Sequence, residues 1–183
     1  MNQDHSTRRK SGARTRLLAM LIAIVGLTAA AQAQSQDEIA NRFVGAWRLV
    51  SYAQRLVDGT TRASPLTAGY IIYTDTNHMC AVLTNPNRPK WKLSSPYATT
   101  TDQAEGLSAI QGADAYCSRV EVHAQEGFVL HLVEDSVRPN LVGVIRKRWF
   151  TFDGPNRVAL RIDPTELALP VVDGTLIWER VMK

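Results

Sequence analysis

Hydrophobic and polar residues alternate with a period of two over most of the chain that follows residue 44. In "AWRLVSYA", for example, Trp47 and Leu49 are separated by Arg48. Such alternation is typical of β-strands that turn one face toward a core. The same pattern returns in "AGYIIYT", "HMCAVLT", "YCSRVEVHA", "GFVLHLVED", "LVGVIRKRWFTFD", "NRVALRID" and "TLIWERV".

The turns between most of these segments are short, as in "DTN", "QEG" and "SVRPN", which favours antiparallel pairing of neighbours. The pattern therefore predicts an all-β domain of eight mostly antiparallel strands. Eight such strands can close into an up-and-down barrel, which leaves no exposed edge strand. A sandwich of two sheets is the alternative architecture.

Two segments break the β pattern and are predicted to be short helices. The first runs from Gln36 to Phe43. The second runs from Asp102 to Ala115, with Thr101 or Asp102 as its N-cap and with Leu107 and Ile110 on one stripe. Because this helix is inserted between strands three and four, we expect it to border the mouth of the barrel.

The first 33 residues have the three parts of a secretory signal peptide. A basic stretch, "RRKSGARTR", precedes the apolar run "LLAMLIAIVGLTAA", which is too short to span a bilayer comfortably. "AQA" then places small residues at Ala31 and Ala33, where signal peptidase requires them. The sequence predicts cleavage after Ala33 and a periplasmic or secreted domain over residues 34–183 with no transmembrane segment. A retained N-terminal membrane anchor is the alternative.

Signal cleavage changes the charge of the protein. Five of the 21 basic residues and one of the 17 acidic residues lie in the signal, so 16 of each remain and the net charge falls from +4 to zero. The remaining chain has no basic run interleaved with aromatic residues, which single-strand binders need. Nucleic acid is therefore excluded as an expected partner.

The chain contains only two cysteines, Cys80 and Cys117. An exported protein meets an oxidising compartment in which they can pair. The apolar neighbours of Cys80 in "HMCAVL" favour a buried free thiol instead, so we predict that both are mostly free. Neither these cysteines nor the histidines have metal-ligand spacing, so no metal site is expected.

Several stretches, taken in order, resemble the bacterial and fungal lipocalin-like domain family. They are "GAWRLVSY", "GYIIYTDTNHMCAVLTNPNRPKW", "AYCSRVEVH", "HLVEDSVRPNLVG" and "LIWERV". The resemblance implies an eight-stranded barrel with an internal cavity, and relatives that are small-molecule binders or cofactor-free isomerases and cyclases. No cofactor is implied. It also implies that Trp47 closes one end of the barrel, with Arg148 or Arg180 stacked on its ring.

His131 is the main candidate for chemistry. It shares a strand face with Val129 and Val133, but the opposite face is also apolar, so the pattern does not decide whether the imidazole points inward. An inward imidazole is a base or a hydrogen-bond donor for a bound molecule, whereas an outward one is an ordinary surface group. Tyr73 and Tyr116 lie near strand ends, where a phenol suits either a ligand pocket or simple packing.

The hairpin after His131 is rich in charge. We expect Glu134 or Asp135 to pair across the strands with Arg146 or Lys147. Alternation places Arg146 and Arg148 on one face, and Lys147 and Trp149 on the other. The resemblance matches Arg148 to the family's arginine, so we expect Arg148 to be the basic residue that points inward. Asp163 and Glu166 in "DPTE" are interpreted as part of an Asp-Pro turn.

Three functions remain open: a carrier of a small apolar or amphipathic molecule, an enzyme with His131 as its base, and a structural or partner-binding module. Small inward residues would leave a pocket of about a few hundred Å³. We predict that Tyr73, Ala81, Tyr116, His131 and Arg148 contact a ligand there, with Trp47 and Arg180 closing the barrel. The other small residues predicted to point inward are Ser118, Gly143 and Ala159.

Overall fold

The computed structural model describes residues 36–182. The predicted signal peptide and its cleavage site lie outside the described residues. The described chain starts with a helix, α1, over residues 36–43. The remaining elements are β1 (Gly45–Leu56), β2 (Thr61–Ala63), β3 (Ala68–Tyr73), β4 (His78–Thr84), α2 (Gln103–Gln111), β5 (Ala113–His123), β6 (Phe128–Ser136), β7 (Ile145–Phe152), β8 (Arg157–Ile162) and β9 (Val171–Arg180). Within residues 36–182, neither helix has the length and apolar character needed to cross a membrane.

All neighbouring strands are antiparallel, and β9 pairs with β1, so the sheet closes on itself. The short β2 and the longer β3 pair in turn with the same edge of β1 and share one place in the barrel. The barrel therefore has eight strand positions, as the sequence predicts, and the sandwich alternative is wrong. Closure removes the exposed edges that a sandwich would keep.

The alternating pattern places one residue in two inside the barrel. In β4, Met79, Ala81 and Leu83 are buried, whereas Cys80 and Val82 between them are exposed. The other strands repeat this arrangement, so the buried side chains form one continuous core inside the barrel. That core is what fixes the register of each strand, since a shift by one residue would turn every apolar side chain outward.

One end of the barrel, called here the lower end, is closed by Trp47. The Arg180 guanidinium, and not that of Arg148, lies over its indole ring. Helix α1 seals the same end with Phe43, whose carbonyl accepts a hydrogen bond of 2.7 Å from the indole nitrogen. Gly45 has φ +129°, and a Cβ there would lie 2.7 Å from Arg180 Nη1. Glycine is therefore the residue best suited to position 45.

Helix α2 is shorter than predicted. Asp102 is its N-cap, accepting bonds from the backbone nitrogens of Ala104 and Glu105, but Ala113 already belongs to β5. Its predicted apolar stripe does not face the core, because Leu107 and Ile110 are both about half exposed (54% and 50%). Pairing with β4 extends β5 toward the helix and overrides the helical pattern of its last residues.

The prediction of free thiols is wrong, because Cys80 and Cys117 form a disulfide. They are direct partners in the pairing of β4 with β5. Cys80 lies on the outer face, between the buried Met79 and Ala81. Its apolar neighbours therefore point away from it, and the argument for a buried thiol fails on that alternation.

Candidate functional site

The interior contains a pocket near the end of the barrel opposite Trp47, called here the upper end. Its volume is about 40 Å³, which is room for about three water molecules and far less than the few hundred Å³ predicted. Two of the small residues expected to leave space do not point inward. Gly143 lies in an exposed turn, and Ala159 lies between the buried Val158 and Leu160. Ser118 is buried, as predicted.

The pocket has two chemically different sides. Its apolar side consists of Ile71, Ala81, Leu83, Leu160, Ile162, Leu176 and the Trp178 ring. Its polar side consists of Tyr52, Asp114, Tyr116, His131, Arg146 and Arg148. No residue of α2 lines this pocket, so the expectation that the helix borders its mouth is wrong.

His131 occupies the middle of the barrel and has no solvent exposure (0%). It points inward with Val129 and Val133, which resolves the ambiguity left by the sequence. Two tyrosines hold it from either side. The Tyr73 hydroxyl lies 3.0 Å from Nε2, and the Tyr116 hydroxyl lies 3.0 Å from Nδ1. Because both ring nitrogens are occupied, a proton exchanged between His131 and a bound molecule would pass through a phenol.

Burial keeps His131 and Tyr73 neutral. Loss of solvation lowers the pKa of His131 well below its usual value, and the nearby Arg148 and Arg146 cations lower it further. Loss of solvation also raises the pKa of Tyr73 well above its usual value, with Tyr116 adding to the effect. At neutral pH His131 is therefore a neutral imidazole and Tyr73 an un-ionised phenol, which suits hydrogen bonding better than proton abstraction.

Arg146 and Arg148 extend inward beside this cluster and share one face of β7, as alternation predicts. Arg146 is the direct cross-strand partner of His131, and its guanidinium lies over the Tyr116 ring at 4.5 Å. Burial opposes the charge of Arg146, but Tyr116, Asp114 and Glu166 outweigh that effect and raise its pKa. Arg148 is 4% exposed. Neither arginine stacks on Trp47.

Two carboxylates neutralise these arginines at the upper end. Glu166 Oε2 accepts a 2.8 Å bond from Arg148 Nη1 and lies 3.6 Å from Arg146 Nε. Asp114 Oδ2 accepts a 3.3 Å bond from Arg146 Nη1. Glu166 belongs to a one-turn 3₁₀ helix, Pro164–Glu166, which follows β8 and folds over the upper end. Glu166 Oε1 also accepts a bond from the Lys147 backbone nitrogen.

The expected ion pairs of the β6–β7 hairpin do not form. Glu134 lies instead near Arg119, at 3.6 Å, on the outer surface. Lys147 also points outward, and its amine lies over the rings of Phe128 and Trp149. The prediction was wrong because β6 and β7 place His131, not Glu134, opposite Arg146.

Asp114 and Glu166 were missed as site residues. Asp114 had been assigned to the end of a helix, and Glu166 to a turn without further role. The signal that could have identified both is the burial of two arginines, because a buried cation requires an acidic partner.

Two polar atoms of the pocket residues have no hydrogen-bond partner within residues 36–182. They are the indole nitrogen of Trp178, a residue only 1% exposed, and Oδ1 of Asp114, whose charged neighbour is Arg138 Nε at 4.0 Å, beyond hydrogen-bond distance. A buried donor or acceptor without a partner costs about 1–3 kcal/mol, so such atoms are uncommon. Here a donor and an acceptor both belong to residues that line one pocket, which is the arrangement of a site that binds a polar molecule.

Four of the five predicted ligand-contacting residues lie together around the pocket. Ala81, Tyr116, His131 and Arg148 line the pocket directly. Tyr73 lies behind His131 and is linked to the pocket through it.

A model of the family described as the lipocalin-like domain matches residues 44–181. The match covers every strand of the barrel and all the residues of the site. No curated protein matches the chain.

Proposed function

Because the chain belongs to the lipocalin-like domain family, we propose that it binds a small amphipathic molecule in the pocket at the upper end. A lipocalin-like barrel suggests small-molecule binding in general. The observation that carries the proposal is the two-sided lining, in which an apolar wall that includes the Trp178 ring faces a polar wall that includes Asp114. The Trp178 nitrogen and Asp114 Oδ1 both lack a hydrogen-bond partner within residues 36–182. Ligand sites commonly combine an apolar wall with a few converging polar groups.

The proposed contacts follow from that lining. Ala81 offers apolar surface, while Tyr116, His131 and Arg148 form the polar side. Tyr73 supports the site from behind His131. The volume of about 40 Å³ accommodates a group of only a few heavy atoms, so the rest of a larger ligand would extend past the upper end or require side chains to move.

Binding is tested by filling the pocket. Ala81→Val adds two methyl groups inside it, whereas Ala159→Val makes the same change on the outer face. Native mass spectrometry of protein purified from its own periplasm should show a co-purified small molecule on the wild type and on Ala159→Val, but not on Ala81→Val. Equal occupancy of all three proteins would place the ligand elsewhere. If the purified wild type carries no small molecule and binds none in titration, the binding proposal fails and the structural or partner-binding function remains.

Export is part of the same proposal. The disulfide between Cys80 and Cys117 supports it, because such bonds persist in oxidising compartments. We expect the mature chain to start at Gln34 or within a few residues of it. Intact-mass measurement of the exported protein tests this, and a full-length precursor mass in that fraction would contradict it.

A second candidate function is a cofactor-free isomerase or cyclase, which the Tyr73–His131–Tyr116 cluster favours. His131 would act as the base through one of the phenols, while Arg146 and Arg148 would stabilise negative charge on the substrate. An enzyme of this kind should accelerate deuterium exchange at the carbon next to the carbonyl of a small ketone, as followed by proton NMR. His131→Gln should abolish the acceleration. If wild-type protein exchanges no faster than buffer, this candidate fails.

A further inference from the structure

The Tyr73–His131–Tyr116 cluster contains more polar hydrogens than there are hydrogen bonds between its three members. The two hydroxyls and the neutral imidazole carry one hydrogen each on oxygen or nitrogen, but only two contacts join them. A neutral imidazole donates from one nitrogen and accepts at the other. One tyrosine must therefore donate to His131, while the other accepts from it and keeps a hydrogen for a further partner.

The surroundings of the two hydroxyls decide which tyrosine accepts. Tyr73 is 3% exposed and its ring lies against Phe43. Among residues 36–182, its hydroxyl has no acceptor besides His131. The buried Ser118 hydroxyl does not serve, because it has no hydrogen-bond partner of its own within the described chain. A leftover Tyr73 hydrogen would thus be buried without an acceptor, which native structures avoid.

Tyr116 is in the opposite situation, because it lines the pocket. If it accepts from Nδ1, its own hydrogen is free to point into the pocket toward a bound molecule. We infer that the hydrogen bonds run one way, from the Tyr73 hydroxyl to Nε2 and from Nδ1 to the Tyr116 oxygen, so that Tyr116 presents a donor to the ligand. Each bond in such a chain polarises the next and strengthens the terminal donor.

This direction specifies the ligand class, an inference that rests on the proposed function. The pocket then offers two hydrogen-bond donors that need a partner, the Tyr116 hydroxyl and the Trp178 indole nitrogen. The matching group is an oxygen acceptor, either a neutral carbonyl or a carboxylate. The unpartnered Asp114 Oδ1 suits a hydroxyl or amine on the same molecule. A pure hydrocarbon would leave all three atoms without partners.

The direction of the chain is measurable without any ligand. Nitrogen-15 NMR of the imidazole distinguishes the two neutral tautomers, and we expect the hydrogen of His131 on Nδ1. In Tyr73→Phe the hydrogen should stay on Nδ1, because on Nε2 it would be buried against the phenyl ring without an acceptor, whereas Nδ1 keeps the Tyr116 oxygen. A hydrogen on Nε2 in the wild type would overturn the inference and leave the proposed function standing.

The ligand class is measured with three probes of equal size: acetone, 2-methylpropene and acetate. Tyr116→Phe should weaken the binding of an oxygen-containing probe by roughly five- to tenfold, the loss of one hydrogen bond, and leave 2-methylpropene within about twofold. The affinity of each probe is compared between the wild type and the variant, so differences in hydration between the probes cancel. Tyr73→Phe should weaken acetone binding in the same direction, although Tyr73 does not line the pocket.

The relative affinities of acetone and acetate then distinguish a neutral carbonyl from a carboxylate. Val82→Phe, on the exposed outer face of β4, is the control and should change no affinity. Equal loss of all three probes in Tyr116→Phe would contradict a role for the hydroxyl as donor. If none of the probes binds to the wild type, the proposed function fails together with the ligand class, and the tautomer still decides the direction of the chain.

Discussion

The Arg180 guanidinium carbon lies 4.1 Å from the centre of the Trp47 indole ring. The same guanidinium donates bonds of 2.7 Å to the Val44 carbonyl and 2.6 Å to the Arg42 carbonyl. One side chain of the last strand thus stacks on the first strand and fixes the end of helix α1. The lower end of the barrel is therefore closed by parts of the chain that are distant in sequence. This explains why the "GAW" motif needs a residue near the C-terminus to pack against.

Arg180→Lys should test how much this arrangement contributes to stability. Lysine keeps the charge but loses the planar group that stacks and donates in two directions. We expect the free energy of unfolding to fall by about 1–3 kcal/mol, from the cation–π contact and the lost hydrogen bonds. Urea denaturation measures the change. Arg157→Lys, at an exposed position of β8, is the control and should stay within about 0.5 kcal/mol.

The disulfide should be present in the folded protein and should stabilise it. Thiol titration of unfolded, non-reduced protein should find no free cysteine. Cys80→Ser with Cys117→Ser should lower the free energy of unfolding by about 2–4 kcal/mol, because the bond closes a loop across a sequence separation of 37 residues. Wild type in reductant should unfold like the double variant, and two titratable thiols without reductant would show that the pair does not form.

Glu166 should matter far more than a surface carboxylate in a similar pair. Glu166→Ala removes the partner of Arg148, which is almost wholly buried, and we expect a cost of about 3–5 kcal/mol. Glu179 forms a single ion pair with Arg48, in which both side chains are more than half exposed. Glu179→Ala should therefore cost at most about 1 kcal/mol. Equal costs in urea denaturation would show that burial of the Arg148 pair does not matter.

Much of the fold could be predicted from the sequence because each strand carries its own alternating signal. The same signal placed Arg146 and Arg148 on one face, whereas the choice of Arg148 as the inward residue came from the family resemblance. His131 was ambiguous because the outer face of β6 is itself apolar, with Leu130 and Leu132 half-buried. Nothing local decides such a case, since the choice depends on which face the whole sheet turns inward.

The disulfide and the carboxylates could not be predicted because they depend on long-range register. Cys80 meets Cys117 only because β4 and β5 pair across a long insertion. Asp114 reaches Arg146 only because β5 starts earlier than the helical pattern suggested. The size of the pocket could not be predicted either, because residues such as Ala159 must be assigned to the inner or outer face before an interior volume can be estimated.

The last prediction concerns pH. The pKa of His131 is held well below its usual value of 6.5 by burial and by Arg148 and Arg146, so the unfolded chain binds a proton at a higher pH than the folded protein does. Above pH 6.5 His131 is neutral in both states and contributes nothing to the pH dependence. Below pH 6.5 the unfolded state gains a proton first, and stability should fall by up to about 1.4 kcal/mol per pH unit from this group.

His131→Gln removes that contribution while keeping a polar side chain between Tyr73 and Tyr116. Between pH 6.5 and pH 5, the unfolding free energy of the wild type should therefore decline more steeply than that of the variant, whereas the two profiles should run parallel from pH 7 to pH 8. His78 and His123 are present in both proteins, so their titration cancels in the difference. Urea denaturation at half-unit steps of pH measures both profiles. Parallel profiles below pH 6.5 would mean that His131 binds a proton as readily in the folded barrel as in the unfolded chain.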